Sequence, residues 1–150
     1  MKYQQSPPLL EFWLPADPGA VPQARHKAIH ACTEAGLSEE DCFTLDLALG
    51  EALANAVVHG TDSSKVKPNS TSQIYLGMWG FQKNLIIQVK DCGMGFKPPP
   101  PPYAMPDAAQ EATHGRGLPL MEILTDAMAV CQGCTQDGGS SVFLIKRMPH

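Results

Sequence analysis

The sequence lacks the features of membrane and exported proteins. Its 150 residues contain no apolar run that approaches the roughly 18–20 residues of a transmembrane helix. The N-terminal segment MKYQQSPPLLEF has no apolar core of the kind that a signal peptide requires. Basic residues are also few, because the chain has 11 Lys and Arg residues but 15 Asp and Glu residues. This acidic balance disfavours nucleic acid or an anionic membrane as a partner, and we expect a soluble cytoplasmic protein.

Cysteine is present, but not in a pattern that indicates a metal site. The five cysteines are an odd number, and reduced thiols are the default expectation in a chain without an export signal. Cys131 and Cys134 form a C-x-x-C pair, but no second pair of this kind and no His pair completes a zinc site. We expect packing or simple exposure to explain the pair, and a metal or redox role is the less favoured alternative.

Two common phosphate-binding patterns are also missing. The chain contains neither the P-loop spacing G-x-x-x-x-G-K-[ST] nor G-x-G-x-x-G. What it does have is the composition of a folded domain, with 43% hydrophobic and 17% charged residues and no internal repeat. Length and composition therefore predict one domain over residues 1–150 with a sizeable core.

Apolar patterning predicts the element order β-α-α-β-β-loop-α-β-β. Strands are expected at Leu9–Pro15, Gln73–Gly80, Leu85–Asp91, Ala127–Cys134 and Ser141–Met148, and helices at Val21–Gly36, Glu39–Val58 and Leu118–Ala127. Ser38, followed by Asp41 three residues later, is close to a capping box for the long helix. Because hairpins replace alternating β-α units, we expect an α+β fold, with helices on one face of a mixed, mostly antiparallel sheet.

The segment GEALANAVVHG (Gly50–Gly60) combines a core-facing stripe with polar side chains. The stripe expected to face the sheet comprises Leu45, Ala48, Leu49, Ala52, Leu53, Ala56 and Val57. Glu51 and Asn55 stand one turn apart on the adjacent stripe. Gly50 inside a helix costs roughly 0.5–1 kcal/mol relative to Ala, which suggests that something approaches the backbone there. The pair either faces water or forms a ligand floor, with a carboxylate to take a proton and an amide oxygen to hold Mg²⁺.

Two glycine motifs follow, and each is weak when taken alone. DCGMGF (Asp91–Phe96) ends an apolar strand, where the Asp could accept from an exocyclic amine or simply shape a turn. HGRGLPLM (His114–Met121) places G-x-G before a helix, where backbone N–H groups can bind phosphate, or it merely starts that helix. The long segment between them is rich in Gly and Pro, which is typical of a lid or of a disordered loop.

The combination of these motifs resembles the GHKL ATP-binding superfamily. E-x-x-x-N on a long helix, D-x-G-x-G after a strand, a lid-like loop and G-x-G-L-x-L-M before a helix occur in that order over roughly residues 39–147. EALANAVVHG and GRGLPLM, in a chain of this length, look most like the anti-sigma factor serine/threonine kinases. The resemblance implies a two-layer α/β sandwich of the Bergerat type, with an ATP lid at about residues 96–115.

The resemblance also implies roles for individual residues. Asn55 would chelate the Mg²⁺ that bridges the ATP phosphates, Glu51 would be the base towards the acceptor hydroxyl, and Asp91 would contact the adenine amine. The other implied nucleotide-binding residues are Gly93 and Gly95 at the adenine, Gly115, Arg116 and Gly117 at the phosphates, Leu118 supporting the following helix, and Ser140 of the loosely matching Gly139-Ser140 pair at the adenine. His59, at the end of the long helix, is left without an assigned role.

The implied function is a kinase that phosphorylates a Ser or Thr of an anti-anti-sigma partner of the STAS type. Such a kinase sequesters a sigma factor in a partner-switching system and is commonly a homodimer. Alternatives are a non-catalytic regulator gated by nucleotide, a domain whose motifs are accidental, and a detached histidine kinase catalytic domain. For the last, His26 and His30 lie one turn apart, but no long helical hairpin precedes them. Pro119 and the run Pro98–Pro102 depart from the family pattern and bear on turnover more than on nucleotide binding.

Overall fold

The computed structural model describes residues 7–60, 73–91, 124–132 and 140–148. The elements are β1 (Leu10–Pro15), a 3₁₀ turn (Pro18–Ala20), α1 (Val21–Glu34), α2 (Glu39–Gly60), β2 (Gln73–Phe81), β3 (Asn84–Lys90), β4 (Ala127–Gln132) and β5 (Ser140–Arg147). These elements confirm the five predicted strands and the first two predicted helices, with small shifts at the ends. The third predicted helix falls mostly outside the described residues.

The five strands form one sheet in the order β1-β2-β3-β5-β4. Each neighbouring pair of these described strands is antiparallel, so the expected mixed sheet is wholly antiparallel in this part of the chain. β2 and β3 are joined by the predicted hairpin turn, in which Gln82 adopts a left-handed φ of 56°. The α+β class is confirmed, because the helices cover one face of this sheet.

The long helix buries the stripe that its sequence predicts. All seven residues of the core-facing stripe are buried, and they pack against inward-facing residues of the sheet such as Leu76, Ile87 and Leu144. The helix begins at the predicted cap, where the backbone N–H of Asp41 donates to Ser38 Oγ at 3.1 Å. Lys146 of β5 lies 3.4 Å from Asp41 and links the sheet to the first turn of α2. Within the four described ranges, no helix combines the length and the apolarity that a membrane span requires.

The three cysteines that the structure describes differ in oxidation state. Cys32 and Cys42 are buried free thiols, and burial raises the pKa of Cys32 to about 12. Cys131 is disulfide-bonded, so the expectation of reduced thiols is wrong for this residue. Cys131 is only half buried and lies on the edge strand β4, where another sulfur can reach it, whereas the helices enclose Cys32 and Cys42.

Candidate functional site

Glu51 and Asn55 lie on the C-terminal half of α2, at the rim of the core. Both are half buried, and they alternate with Ala52, Leu53 and Ala56, which are buried against the sheet. One helical turn separates the two polar side chains. Their partial burial places a carboxylate and an amide oxygen where both can meet a ligand that rests on α2.

Gly50, immediately before Glu51, is approached by a side chain of this protein. A Cβ at Gly50 would lie 3.0 Å from Cζ and 3.2 Å from both Nε and Nη1 of Arg25. The guanidinium of Arg25, on α1, therefore rests against the backbone of α2. The sequence correctly indicated a close approach at Gly50, but the group that comes close is an arginine of the neighbouring helix.

Arg25 is fixed in this position by Asp46. Its Nε donates to Oδ1 at 2.9 Å and its Nη2 donates to Oδ2 at 3.0 Å, and the two side chains are 35% and 32% exposed. The hydrogen bond to Asp46 raises the pKa of Arg25, desolvation opposes this shift, and the charges of Asp46 and Glu51 reinforce it. Sequence reasoning missed this pair because the two residues are on different helices. The available signal was Asp46, one turn before the unusual Gly50.

The other two candidate residues that the structure describes, Asp91 and Ser140, are brought together by the pairing of β3 with β5. Lys90 is in register with Ser141, so the residue after β3 meets the first residue of β5. The backbone N–H of Asp91 donates to the carbonyl oxygen of Ser140 at 2.9 Å, and the N–H of Ser140 donates to Asp91 Oδ1 at 3.4 Å. Two residues predicted from separate motifs thus become direct neighbours, with Asp91 4% and Ser140 2% exposed.

The hydroxyl of Ser140 is the unusual group in this pair. Among the described residues, its Oγ is a buried side-chain polar atom without a hydrogen-bond partner. A buried polar group left unpaired costs about 1–3 kcal/mol, so such groups call for an explanation. A hydroxyl can donate or accept and an ionised carboxylate only accepts, so Ser140 and Asp91 together suit a ligand edge that carries both a donor and an acceptor.

Several predicted site residues lie outside the described part of the chain. These are Gly93, Gly95, Gly115, Arg116, Gly117 and Leu118, together with the lid and its prolines, Pro119 and Cys134. The predictions for the phosphate-binding glycines therefore stay predictions, and the side chain of His59 is likewise not described. His26 and His30 are exposed on α1, and His30 Nε2 lies 3.1 Å from Glu34.

No protein cage for a metal ion is found within the described residues. They include no group of three or more His, Cys, Asp or Glu side chains that could hold one. Mg²⁺ in nucleotide sites is commonly held by one or two protein oxygens together with substrate phosphates and water. The amide oxygen of Asn55 fits that limited requirement.

Comparison with known proteins identifies the family. The family model for the histidine kinase-like ATPase domain matches residues 14–146. The chain belongs to the histidine kinase-like ATPase family. This membership confirms the GHKL resemblance of the sequence motifs. No curated protein matches the chain at a significant level.

A solved structure has the same fold as this histidine kinase-like ATPase domain. It is the crystal structure of the RsbU and RsbW domains of Rv1364c from Mycobacterium tuberculosis. The two folds match with a TM-score of 0.61 and 21% sequence identity. The match covers 95% of this chain and 32% of that one, so the chain spans about a third of the length of that structure. At this level of identity the likeness shows the fold alone.

Proposed function

We propose that this domain binds ATP with Mg²⁺ and transfers the γ-phosphoryl group to a Ser or Thr of a STAS-type anti-anti-sigma partner. Through this transfer it would control the sequestration of a sigma factor in the cytoplasm. Family membership supports ATP use. The kinase class is supported by the motifs EALANAVVHG and GRGLPLM and by the likeness to a structure with an RsbW domain. The observation that carries the nucleotide site is the buried pair of Asp91 and Ser140.

The pair is complementary to adenine. Adenine has an exocyclic amine that donates and ring nitrogens that accept, whereas guanine has a carbonyl oxygen in place of that amine. The Asp91 carboxylate accepts from the amine, and the unpaired Ser140 Oγ supplies the second contact. A carbonyl facing Asp91 would be repelled, so the pair selects adenine over guanine. Gly93 and Gly95 would lie beside the adenine base, as the family resemblance implies.

The remaining roles concern the phosphates and the acceptor. Gly115, Arg116 and Gly117 would wrap the phosphates ahead of the helix at Leu118. Asn55 would hold Mg²⁺, which neutralises phosphate charge when it is bound. Glu51 takes the proton of the acceptor hydroxyl while that oxygen bonds to the γ-phosphorus. The bond from this phosphorus to the β–γ bridging oxygen breaks, and ADP leaves with that oxygen.

The proposed assembly is a homodimer, and the outer face of the sheet supports it. Trp13, Tyr75 and Trp79 form an aromatic cluster on that face. The ring centroids of Trp13 and Tyr75 lie 5.1 Å apart and those of Tyr75 and Trp79 lie 6.3 Å apart, and Trp13 is 52% exposed. Glu11 accepts from the hydroxyl of Tyr75 at 2.5 Å, and the Lys90 ammonium lies 5.9 Å from the Trp13 ring. An apolar centre flanked by both signs of charge can pair with a second copy across a two-fold axis.

Calorimetry with ATP and GTP tests the nucleotide site. We expect ATP with Mg²⁺ to bind about tenfold or more tightly than GTP, because only adenine satisfies Asp91 and Ser140 together. Equal affinities would contradict the assignment. Transfer from [γ-³²P]ATP to a recombinant STAS-domain protein then tests the reaction. Acid-stable phosphate on the STAS protein supports the proposal, ATP binding without transfer indicates a non-catalytic switch, and acid-labile phosphate indicates histidine kinase chemistry.

A further inference from the structure

The outward face of α2 carries apolar side chains where an amphipathic helix usually carries polar ones. Phe43 and Leu47 stand one turn apart on this face, and both are exposed. Glu51 continues the same row, because side chains four positions apart lie one above the other on a helix. The row from Phe43 to Glu51 is about 12 Å long, at 1.5 Å per residue. An exposed apolar surface therefore leads to the proposed catalytic base.

A surface cavity between α1 and α2 adjoins this row. It has a volume of about 330 Å³, and Phe43 forms part of its wall. The other apolar side chains that line it are those of Ile29, Leu37 and Cys42. Exposed apolar residues that occur singly are ordinary on a protein surface, but here two of them border a concave apolar site. A cavity of this kind can receive an anchoring side chain of a partner protein.

The charge at the cavity indicates the chemistry of that partner. Two carboxylates line the cavity, those of Glu39 and Asp46. Asp46 is already paired with the guanidinium of Arg25 through two hydrogen bonds. Glu39 is exposed, and within the described ranges it has no ion-pair partner. A partner that complements this surface therefore presents an apolar side chain with a Lys or Arg beside it.

We propose that the row of Phe43 and Leu47, together with the adjoining cavity, is the docking surface for the protein that accepts the phosphoryl group. A specific interface covers about 800 Å² on each partner, so an acceptor whose hydroxyl meets Glu51 contacts a much wider area than that one carboxylate. An apolar side chain of the acceptor occupies the cavity against Phe43, and a basic residue beside it meets Glu39. This inference rests on the proposed function and adds the surface that the acceptor contacts away from the reacting groups.

The substitution Phe43→Ala tests the docking surface, and Phe81→Ala is its matched control. The two phenylalanines are 64% and 59% exposed, but Phe81 lies at the end of β2. Transfer from [γ-³²P]ATP would be measured over a range of concentrations of a recombinant STAS-domain protein. For Phe43→Ala we expect the KM of this acceptor to rise about 10- to 30-fold, because an aromatic anchor is lost. The maximal rate and the Kd of ATP should not change, and Phe81→Ala should leave all three values unchanged.

The substitution Glu39→Gln tests the charge at the cavity. It should raise the KM of the acceptor about threefold in low salt and by less in high salt, because exposed charges are screened. The neighbouring Glu40→Gln is the control, since Glu40 is also exposed but is not among the residues that line the cavity, and it should leave the KM nearly unchanged. Equal effects of the two substitutions would overturn the contact at Glu39.

The docking surface can fail separately from the proposed function. An unchanged KM in Phe43→Ala, an equal rise in Phe81→Ala, or a lower maximal rate at an unchanged KM would each overturn it. So would conversion of a dimer to a monomer by Phe43→Ala, measured by light scattering, because the surface would then join two copies of this chain.

Calorimetry with the STAS protein completes the separation. If the wild type binds this protein without transferring phosphate to it, the kinase role fails, whereas a weaker Kd in Phe43→Ala still supports the docking surface. No binding by the wild type would refute both.

Discussion

The two ends of the candidate site differ in how far they are buried. Asp91 and Ser140, at the strand ends, are almost completely shielded from water, whereas Glu51 and Asn55 lie half buried on α2. Hydrogen bonds in a shielded site are stronger, and unpaired groups there are costly, so the strand end is suited to recognising one fixed base. The rim of α2 is only half buried, and the proposed transfer reaction requires that a second protein reach it. Nucleotide selectivity and phosphoryl transfer should therefore be separable by mutation.

The largest expected effect is on transfer, from Glu51→Gln. Loss of a general base typically reduces the rate by about 10²- to 10⁴-fold, and we expect a loss in this range. The affinity for ATP should stay within about twofold, because the half-buried rim contributes little to base recognition. Single-turnover transfer and calorimetry on the same protein measure the two quantities, with exposed Glu40→Gln on the same helix as the control. A parallel loss of ATP affinity would show that the two ends are not independent.

At the buried end, Asp91→Asn should have the reverse profile. A hydrogen bond to a charged group contributes about 1.5–3 kcal/mol, so ATP affinity should fall roughly 10- to 100-fold. Transfer at saturating ATP should be nearly normal, and discrimination against GTP should shrink. Asp126→Asn is a suitable control, because Asp126 is an exposed carboxylate that accepts from the Arg147 backbone. Preserved discrimination between ATP and GTP would remove Asp91 from base recognition.

Asn55→Ala should affect only the metal-dependent part of binding. Replacing a single oxygen ligand of Mg²⁺ should lower ATP affinity by about tenfold when Mg²⁺ is present. Without the metal, the variant and the wild type should bind ATP equally well. Calorimetric titrations with and without Mg²⁺ make this comparison. An equal loss in both conditions would indicate that Asn55 touches the nucleotide itself.

Among the substitutions expected to weaken ATP binding, Ser140→Ala should produce the smallest loss of affinity, accompanied by a gain in stability of the free protein. Without nucleotide, removing a buried unpaired hydroxyl should raise the free energy of unfolding by about 1 kcal/mol. With nucleotide, losing one hydrogen bond should weaken ATP binding by about fivefold. Chemical denaturation and calorimetry give the two values. A destabilised free protein would mean that Ser140 Oγ already has a partner before ATP binds.

The sequence predicted the local elements well, because local periodicity and caps determine them. The buried stripe of α2, the cap at Ser38 and the β2–β3 hairpin all depend on neighbours within a few positions. The contact between Arg25 and Asp46 joins positions on two helices, and no periodicity encodes it. The disulfide at Cys131 was missed for a similar reason, since pairing of sulfurs depends on proximity in space.

The candidate site was predictable to a different extent at its two ends. Glu51 and Asn55 were visible as an interruption of an apolar helix. Asp91 and Ser140 lie 49 positions apart, and only the family resemblance suggested that they share a pocket. Register between β3 and β5 brings them together, and the unpaired state of Ser140 Oγ can be seen only in three dimensions. For Asp91 and Ser140, burial and hydrogen-bond satisfaction were therefore the properties that the sequence did not reveal.

The most direct test of this account is a crystal structure with Mg²⁺ and a non-hydrolysable ATP analogue. We expect the adenine amine to lie within about 2.7–3.2 Å of a carboxylate oxygen of Asp91, with Ser140 Oγ bonded to the same base and the metal bound to Asn55. Glu51 should face the γ-phosphate. An adenine bound away from the β3–β5 strand ends, or Glu51 and Asn55 turned towards bulk water in the complex, would contradict the account.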